Sequence, residues 1–283
     1  MKFCFFNEVP IKENDVQIPI NDAGFLYGDG IYTSILIRNG IPVFFERQMA
    51  LLQALCKQQQ IVAPIFSKTM ILELLNLNNI STNSPDHYLR IIVTGGAETP
   101  SRIFQLRKGF SLVTVKELTL SFSDILKVIF FPFPSQSQHT HYKSLAHLNR
   151  YYIRDFAKKS GYDDAISISC NNEILELSFG NLFWIDQQDV FIPSPALPLY
   201  HGITIQVMTE ILIKLNYKIH FVKWNKETSL SNYLCFATST FMGIRPIQSI
   251  GDAPLPIDSK ITSLLQTAFA EAILTHYKNF NNH

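Results

Sequence analysis

The sequence predicts a mixed α+β or α/β protein of two modest domains. With 283 residues, of which 47% are hydrophobic and 12% aromatic, the chain can bury a core larger than one small domain requires. Strand-like and helix-like patterns alternate along the chain, and nothing repeats at the period of a solenoid. Together these observations exclude a disordered chain and a repeat protein.

The first half combines a helix with short strands. Apolar spacing predicts a helix over 47–60, and β-branched and aromatic runs predict strands over 88–94 and 110–115. Charged and hydroxyl residues then intervene before a new apolar run over 125–133. We therefore expect a small N-terminal domain over 1–118, a linker over 119–125 and a larger domain over 126–283 that carries Lys143.

The second half begins with a helix after Lys143. Apolar residues recur there at three- and four-residue spacing, which predicts one buried stripe that ends before Gly161. The stripe consists of Leu145, Leu148, Tyr152 and Phe156. Strands are expected over 165–169 and 173–185 around an Asn171-Asn172 turn, then a helix over 205–215 and a strand over 233–237.

Composition limits the partners. A net charge of +1 and a pI near 7.7 give no field that would attract nucleic acid or an anionic membrane. No apolar run approaches the ~18 residues of a membrane span. The N-terminal segment is too short for a signal peptide, and charged residues interrupt it early. We expect a cytoplasmic protein whose partners are small molecules or a second copy of itself.

Metal and redox chemistry are not indicated either. The four cysteines, Cys4, Cys56, Cys170 and Cys235, lie far apart and form no C-x-x-C pair. Such spacing fits a reducing compartment. His139 and His141 have no evident third ligand, so we predict no metal site.

Lys143 emerges from a polar loop directly before the predicted helix. Most lysines are solvated surface cations. A lysine that is buried or lies near another cation loses its proton more easily and can then attack a carbonyl carbon as a nucleophile. The sequence is compatible with both roles.

Glu176 lies between leucines in an apolar strand pattern. Burying a carboxylate is costly unless a cation or a hydrogen-bond donor meets it. Either Glu176 faces outward into solvent, or it faces a positively charged partner such as the protonated nitrogen of a pyridine cofactor.

Two segments could bind an anion. Gly202-Ile203-Thr204 precedes a predicted helix, whose first N–H groups are free. Thr238-Ser239-Thr240 follows a predicted strand and offers hydroxyls and backbone donors at a turn. Each segment alone could equally serve ordinary capping or turn chemistry.

In this order and spacing, these features resemble the class IV, or fold-type IV, pyridoxal-phosphate enzymes. That family contains branched-chain and D-amino-acid aminotransferases and 4-amino-4-deoxychorismate lyase. The segment 21–32, NDAGFLYGDGIY, resembles the family's D-x-G-x-x-x-G-D-G motif, and the distance from Lys143 to Glu176 is similar to the family's. The resemblance covers most of the chain. It implies a D-amino-acid-aminotransferase-like fold, with a small N-terminal α/β domain and a larger C-terminal domain built on a mixed sheet or barrel, and it implies a homodimer.

The resemblance also implies pyridoxal 5'-phosphate as the cofactor. Lys143 would bind it covalently and move a proton, and Glu176 would hold its ring nitrogen in the protonated form. Ile203 and Thr204 would donate backbone N–H groups to its phosphate. Ser239 and Thr240 would complete the phosphate site.

Substrate contacts follow from the same resemblance. Tyr32 would border the substrate pocket from the smaller domain, with Thr33 beside it. Arg102 resembles a loop arginine that meets substrate carboxylates in some members.

Three positions depart from the family's pattern. Leu51 stands where H-x-x-R-L has its phosphate-binding arginine, whose charge-assisted bonds are each worth ~1.5–3 kcal/mol. Arg47, one helical turn earlier, could substitute for it or could face solvent. Ala146 replaces a common asparagine, and Gly95 replaces the arginine of T-R-G.

Thr33 favours one member of the family. The aminotransferases commonly carry glutamate at this position, and the lyases often carry threonine. We therefore predict 4-amino-4-deoxychorismate lyase, a folate-pathway enzyme that forms 4-aminobenzoate and pyruvate. A branched-chain or D-amino-acid aminotransferase is one alternative, and a non-catalytic member with weakened cofactor binding is another.

Overall fold

The computed structural model of the chain describes residues 2–97, 106–135 and 142–281. It divides into two units, and the predicted mixed α+β fold class is confirmed. Unit 1 takes its residues from Met1–Thr119, Tyr142–His147 and His276–His283, and unit 2 from Leu120–His141 and Leu148–Thr275. Lys143 thus belongs to unit 1, whereas the sequence assigned it to the larger domain. The physical reason is that its segment pairs with a strand of unit 1.

Unit 1 contains a six-stranded antiparallel sheet within the described residues. The strand order is β2-β1-β6-β5-β3-β4. The strands are β1 (Phe3–Phe6), β2 (Val9–Lys12), β3 (Gly30–Arg38), β4 (Ile41–Pro42), β5 (His87–Thr94) and β6 (Ser111–Glu117). A 3-10 turn (Glu13–Asp15) and the helices α1 (Ala23–Tyr27), α2 (Phe45–Gln58) and α3 (Lys68–Leu77) complete the unit.

The core of unit 1 lies between one sheet face and two helices. Alternate residues of β5 are buried, as expected when one face of a strand meets the core. Helix α2 packs on β3 and α3 packs on β1. Leu52 of α2 and Ile71 and Leu74 of α3 are buried at this layer. The predicted helix over 47–60 and the strands over 88–94 and 110–115 correspond to α2, β5 and β6.

Unit 2 is organised around a mixed sheet, of which nine strands are described. The order is β12-β11-β10-β13-β14-β7-β8-β9, with β15 paired to β14. The strands are β7 (Leu126–Phe130), β8 (Asp164–Ile168), β9 (Ile174–Leu177), β10 (Asn181–Asp186), β11 (Asp189–Pro193), β12 (Lys218–Val222), β13 (Leu234–Ser239), β14 (Gly243–Ile250) and β15 (Ala253–Pro254). The helices are α4 (Leu148–Lys159), α5 (Ile203–Lys214) and α6 (Ser259–Asn281), whose last residues, from His276 onward, are assigned to unit 1.

Two details of the sequence prediction for unit 2 are wrong. The strand expected over 173–185 is two strands, because the chain turns where the Leu177 N–H donates to the Gly180 carbonyl. The stripe expected on α4 is only partly buried, because 65% of Leu148 and 61% of Tyr152 are accessible, whereas Phe156 packs against the small core beside β8. Helix α4 instead buries Ile153 and Ala157, which pack against β8.

Neither a membrane helix nor a metal cluster is found in the described part of the chain. No helix there combines the length and apolar character needed to cross a bilayer. The same residues contain no group of three or more His, Cys, Asp or Glu side chains placed to bind a metal ion. His139 and His141 lie outside the described residues.

Candidate active site

The segment around Lys143 pairs with the start of β3. The Tyr32 N–H donates to the Lys143 carbonyl at 2.9 Å, and the Leu145 N–H donates to the Gly30 carbonyl at 3.0 Å. Ile31 and Ser144 form an antiparallel bridge between them. Backbone pairing with β3 therefore fixes the position of the Lys143 backbone, from which its side chain extends.

Two glycines of the G-D-G motif allow this close approach. Gly28 ends α1 in the left-handed region with φ 71°, and a Cβ there would lie 2.8 Å from the Ala146 Cα. A Cβ on Gly30 would lie 2.6 Å from the Leu145 side chain. Only residues without a Cβ let the Lys143 segment lie directly on β3.

The remaining motif residues hold the turn before β3. Asp22 caps α1 by accepting from the Gly24 and Phe25 N–H groups. Asp29 pairs with Arg107, and its carbonyl accepts from the Gly95 N–H at 2.8 Å. Gly95 lies against this ion pair, and a side chain there would overlap Asp29 and Arg107. This crowding gives the departure at Gly95 a structural reason.

Lys143 lies beside the ring of Tyr32. The half-buried Lys143 places its Nζ 5.1 Å from the Tyr32 ring centroid. The Arg90 Cζ lies 5.4 Å from the same centroid, and the His147 ring lies 4.9 Å from it. We name these four residues the Tyr32 cluster.

Arg90 is a residue that the sequence analysis missed. It lies on β5, where register with β3 places it on the same sheet face as Tyr32. Its Nε is buried and has no hydrogen-bond partner among the described residues. The sequence does contain a signal for Arg90, because a charged residue interrupts the apolar strand pattern over 88–94. Glu176 was identified from the same kind of signal in its own strand.

The structure does not bring Thr33 or Arg47 into the Tyr32 cluster. Thr33 follows Tyr32 on β3 and so projects from the opposite face. Its hydroxyl donates to the Gln48 amide oxygen at 2.7 Å, and both side chains are buried. Arg47 lies exposed on α2, while Leu51 is half-buried. Arg102 lies outside the described residues.

Glu176 is buried on β9 in unit 2, with 5% of its surface accessible. Its Oε1 accepts from the Arg150 Nη2 at 2.7 Å and from the Tyr200 N–H at 3.4 Å. Burial excludes the outward-facing alternative considered from the sequence. The carboxylate is instead compensated by a cation and a backbone donor, as a buried charge requires.

A chain of hydrogen bonds connects Glu176 to the start of α5. The Tyr200 carbonyl accepts from the Asn181 Nδ2 at 2.7 Å, and the Asn181 Oδ1 accepts from the Gly202 N–H at 3.2 Å. Gly202 precedes α5 without a side-chain cap, and Ile203 and Thr204 form its first turn. The first N–H groups of α5 thus receive no side-chain cap at Gly202.

The second predicted anion segment lies next to the same asparagine. Asn181 on β10 is the ladder partner of Thr238 on β13. The Thr238 hydroxyl is buried without a hydrogen-bond partner among the described residues. Ser239 ends β13 and is followed by Thr240 in the turn. Unit 2 therefore gathers four predicted phosphate ligands, Ile203, Thr204, Ser239 and Thr240, on both sides of Asn181.

Two titratable groups border this part of unit 2. Burial raises the pKa of the Asp164 carboxyl, whose Oδ1 accepts from the Ala165 N–H at 2.8 Å and the Ser178 N–H at 3.3 Å. Burial lowers the pKa of His201, which follows Tyr200. His201 is consequently neutral near pH 7 and adds no positive charge beside α5.

Comparison with known proteins identifies the family. Residues 30–250 match the model of the family described as amino-transferase class IV. The aminodeoxychorismate lyase of Bacillus subtilis is 23% identical over 280 residues, which cover 93% of this chain and 92% of that protein. The D-alanine aminotransferase of Listeria innocua is 23% identical over 293 residues, which cover 95% of each chain.

A solved structure shows the same fold. The branched-chain aminotransferase of Thermoproteus uzoniensis superposes with a TM-score of 0.86 at 15% identity, covering 99% of this chain and 97% of that one. The family match spans most of the sequence, including the Lys143 segment, Glu176 and the start of α5. The chain therefore belongs to the class IV aminotransferase family.

Proposed function

We propose that this chain is a pyridoxal-phosphate-dependent enzyme that converts 4-amino-4-deoxychorismate to 4-aminobenzoate and pyruvate. The observation that carries the cofactor proposal is the hydrogen-bond chain from Glu176 through Tyr200 and Asn181 to Gly202. It couples a buried carboxylate, suited to a protonated ring nitrogen, to a helix start suited to a phosphate.

Groups in each unit, taken separately, suit the chemistry of this cofactor. Lys143 supplies an amine that can react with an aldehyde. The unpartnered Thr238 hydroxyl and the uncapped start of α5 supply donors for an anion. When bound, pyridoxal phosphate supplies an electron sink for negative charge that develops on the substrate.

The phosphate would be held mainly by neutral donors. Ile203 and Thr204 would donate backbone N–H groups, and Ser239 and Thr240 would add the second side. Because Leu51 stands in place of the family's arginine, we propose Arg47, one turn earlier on α2, as its substitute. If Arg47 stays in solvent, cofactor affinity is lower than in members with the arginine.

Lys143 and the Tyr32 cluster would act on the substrate. Lys143 would remove the proton from the amine-bearing carbon, and the electron pair left there would form a C=C bond to the neighbouring ring carbon as the C–O bond of that carbon breaks. The group that leaves is the enolate of pyruvate, which takes up a proton at its CH2 carbon to become pyruvate. The carbocyclic ring left behind becomes aromatic and is released as 4-aminobenzoate. Tyr32 borders the pocket, and the unpaired Nε side of Arg90 suits a substrate carboxylate. Arg102 is proposed as a second carboxylate ligand.

Thr33 supports the lyase over an aminotransferase. A glutamate is common at this position in the aminotransferases. Thr33 has no carboxylate, and its hydroxyl donates a hydrogen bond to the Gln48 side chain. Its influence on the substrate would be indirect, through the placement of β3. The similarity to D-amino-acid and branched-chain aminotransferases favours amino transfer as the second candidate. The third candidate is a non-catalytic member of the family, and the loss of the arginine at Leu51 is the observation that favours it.

A homodimer in the cytoplasm is the assembly that we propose. In unit 1, 63% of Phe25 and 56% of Tyr27 on α1 are accessible, and so is 83% of Ile20 just before them. In unit 2, Leu148 and Tyr152 are exposed on α4. Large apolar side chains grouped on a surface are typical of protein interfaces, and a second copy would cover them.

The first experiment tests cofactor binding. Purified protein mixed with pyridoxal phosphate should develop the visible absorption band of a lysine-linked cofactor, and Lys143→Ala should not. Lys159→Ala, at an exposed lysine of α4, is the matched control and should keep the band. A wild-type protein that stays without a band at saturating cofactor would be the non-catalytic member.

The second experiment separates lyase from aminotransferase. Pyruvate release from 4-amino-4-deoxychorismate is compared with amino transfer to a keto acid, using the same cofactor-loaded protein. We expect pyruvate release. Keto-acid-dependent transfer without pyruvate release would replace the lyase with an aminotransferase.

A further inference from the structure

We propose that Arg150 is a positioning residue that shares the Glu176 carboxylate with the cofactor's ring nitrogen and keeps that nitrogen less protonated than an unshared carboxylate would. The inference rests on the proposed function, because it assumes that pyridoxal phosphate binds with its ring nitrogen at Glu176.

The geometry fixes Arg150 at two points. Its Nη2 donates to the Glu176 Oε1 at 2.7 Å, and its Nη1 donates to the Ser178 carbonyl at 3.0 Å. The side chains are 19% and 6% exposed, respectively, for Arg150 and Glu176. Arg150 belongs to the first turn of α4, which packs on β8, the ladder neighbour of β9. The guanidinium is therefore held by the fold and is not a mobile surface cation.

The charge balance gives this contact its consequence. A buried, unshared carboxylate would favour a proton on a base that meets it. Arg150 neutralises that carboxylate at hydrogen-bond distance, so the pair offers a ring N–H⁺ much less net negative charge. Such pairs in a poorly solvated site are weakly screened.

Three other titratable or charged groups lie on the neighbouring elements. Arg154, on α4, lies over the Phe179 ring at 5.6 Å and adds a second cation. The pKa of Asp164 on β8 is raised by burial, so this carboxyl holds its proton to higher pH than an exposed one. The pKa of His201, beside Tyr200, is lowered, so His201 is neutral near pH 7.

A less protonated ring would also affect the choice of reaction. Such a ring withdraws electrons less strongly. Amino transfer requires the substrate's proton to return to the cofactor, whereas elimination requires only that a leaving group departs. Arg150 would thus favour elimination, in agreement with the proposed lyase.

The test measures the protonation state of the ring nitrogen directly. Pyridoxal phosphate labelled with ¹⁵N in the ring is bound to wild type, Arg150→Gln, Arg150→Lys and Arg154→Gln, and the ¹⁵N chemical shift is followed against pH. Arg150→Gln should raise the apparent pKa of the ring nitrogen by about one unit or more, the usual effect of one adjacent charge. Arg150→Lys keeps the cation and should titrate like wild type. Arg154→Gln, which removes the cation over Phe179, should shift the pKa of the ring nitrogen by less than Arg150→Gln does. Identical titration of wild type and Arg150→Gln would overturn the proposal.

A measurement on wild type alone covers the case in which Arg150→Gln does not fold. The affinity for pyridoxal phosphate is compared with that for its analogue with carbon in place of the ring nitrogen. Loss of a full charge-assisted hydrogen bond would weaken binding by about tenfold or more, so a smaller difference supports sharing and a larger one overturns it. Absence of the visible band in wild type would instead refute the proposed function, and this inference with it.

Discussion

Thr33 and Gln48 form a buried pair that the sequence does not reveal. Thr33 was singled out as a position that distinguishes family members, and the structure shows its hydroxyl bound to a helix side chain. A motif in a sequence can show that a residue type matters, but the face from which the side chain projects depends on the register of its strand. Lys143 and Glu176 were identifiable because each side chain is unusual in its local pattern.

Removing the Thr33 hydroxyl should destabilise the protein. Thr33→Val keeps the shape but leaves the buried Gln48 oxygen without its donor, which costs roughly 1–3 kcal/mol of unfolding free energy. Thr33→Ser keeps the donor and should cost less. Urea unfolding of the three proteins measures the difference, and equal stability of the valine and serine variants would show that the hydrogen bond contributes nothing.

Arg90 and Arg150 show why some site residues escaped sequence analysis. An arginine in the first turn of a helix is normally solvated, so Arg150 was not assigned to the site before its contact with Glu176 was seen. Pairing between residues distant along the chain depends on how β9 and α4 are placed, and one sequence does not encode that placement in a local pattern.

At the scale of elements, alternation and helical spacing predicted most of the strands and helices but not every buried face. Helix α4 carries two apolar stripes, one through Leu148 and Tyr152 and another through Ile153 and Ala157. Both have helical spacing, and only packing against β8 decides which one is buried. The G-D-G turn was predicted as a motif, while its reason, close packing of the Lys143 segment, required the structure.

Gly28→Ala should disrupt the junction between α1, β3 and the Lys143 segment. Alanine in the left-handed region costs roughly 1–2 kcal/mol, and its Cβ would also lie 2.8 Å from the Ala146 backbone. The matched control is Gly161→Ala, which has φ +83° but nothing within 4 Å of its Cβ. We expect Gly28→Ala to lower the melting temperature more than Gly161→Ala does. Only Gly28→Ala should also weaken the visible absorption band of the bound cofactor. Equal losses in both variants would mean that backbone strain alone is responsible.

At the scale of the whole molecule, three of the four thiols are buried. Cys4, Cys56 and Cys235 are buried and Cys170 is exposed. Burial raises the pKa of the Cys56 thiol to about 11 and raises the pKa of the Cys235 thiol as well. The reducing compartment expected from the cysteine spacing is compatible with these separate thiols.

Alkaline pH should therefore weaken the fold. The stabilisation from a neutral Cys56 is fully present below pH 9, the ordinary value for this thiol, and is lost as the pH rises to about 11. The unfolding free energy should fall over this window, and by less in Cys56→Ala. An unchanged dependence of the unfolding free energy on pH in Cys56→Ala would assign the alkaline loss of stability to other groups.

The exposure of the four thiols can be tested separately. At pH 8, alkylation followed by mass spectrometry should modify Cys170 in the folded protein and the other three cysteines only in urea.

The hydrogen-bond chain from Glu176 to α5 has an evolutionary consequence. Between its two side chains, Glu176 and Asn181, the connections run through main-chain atoms of Tyr200 and Gly202. Main-chain atoms are present whatever amino acid occupies a position, so mutations can accumulate around this site without dismantling it. Distant homologues could keep such a binding site after most of their amino acids have diverged.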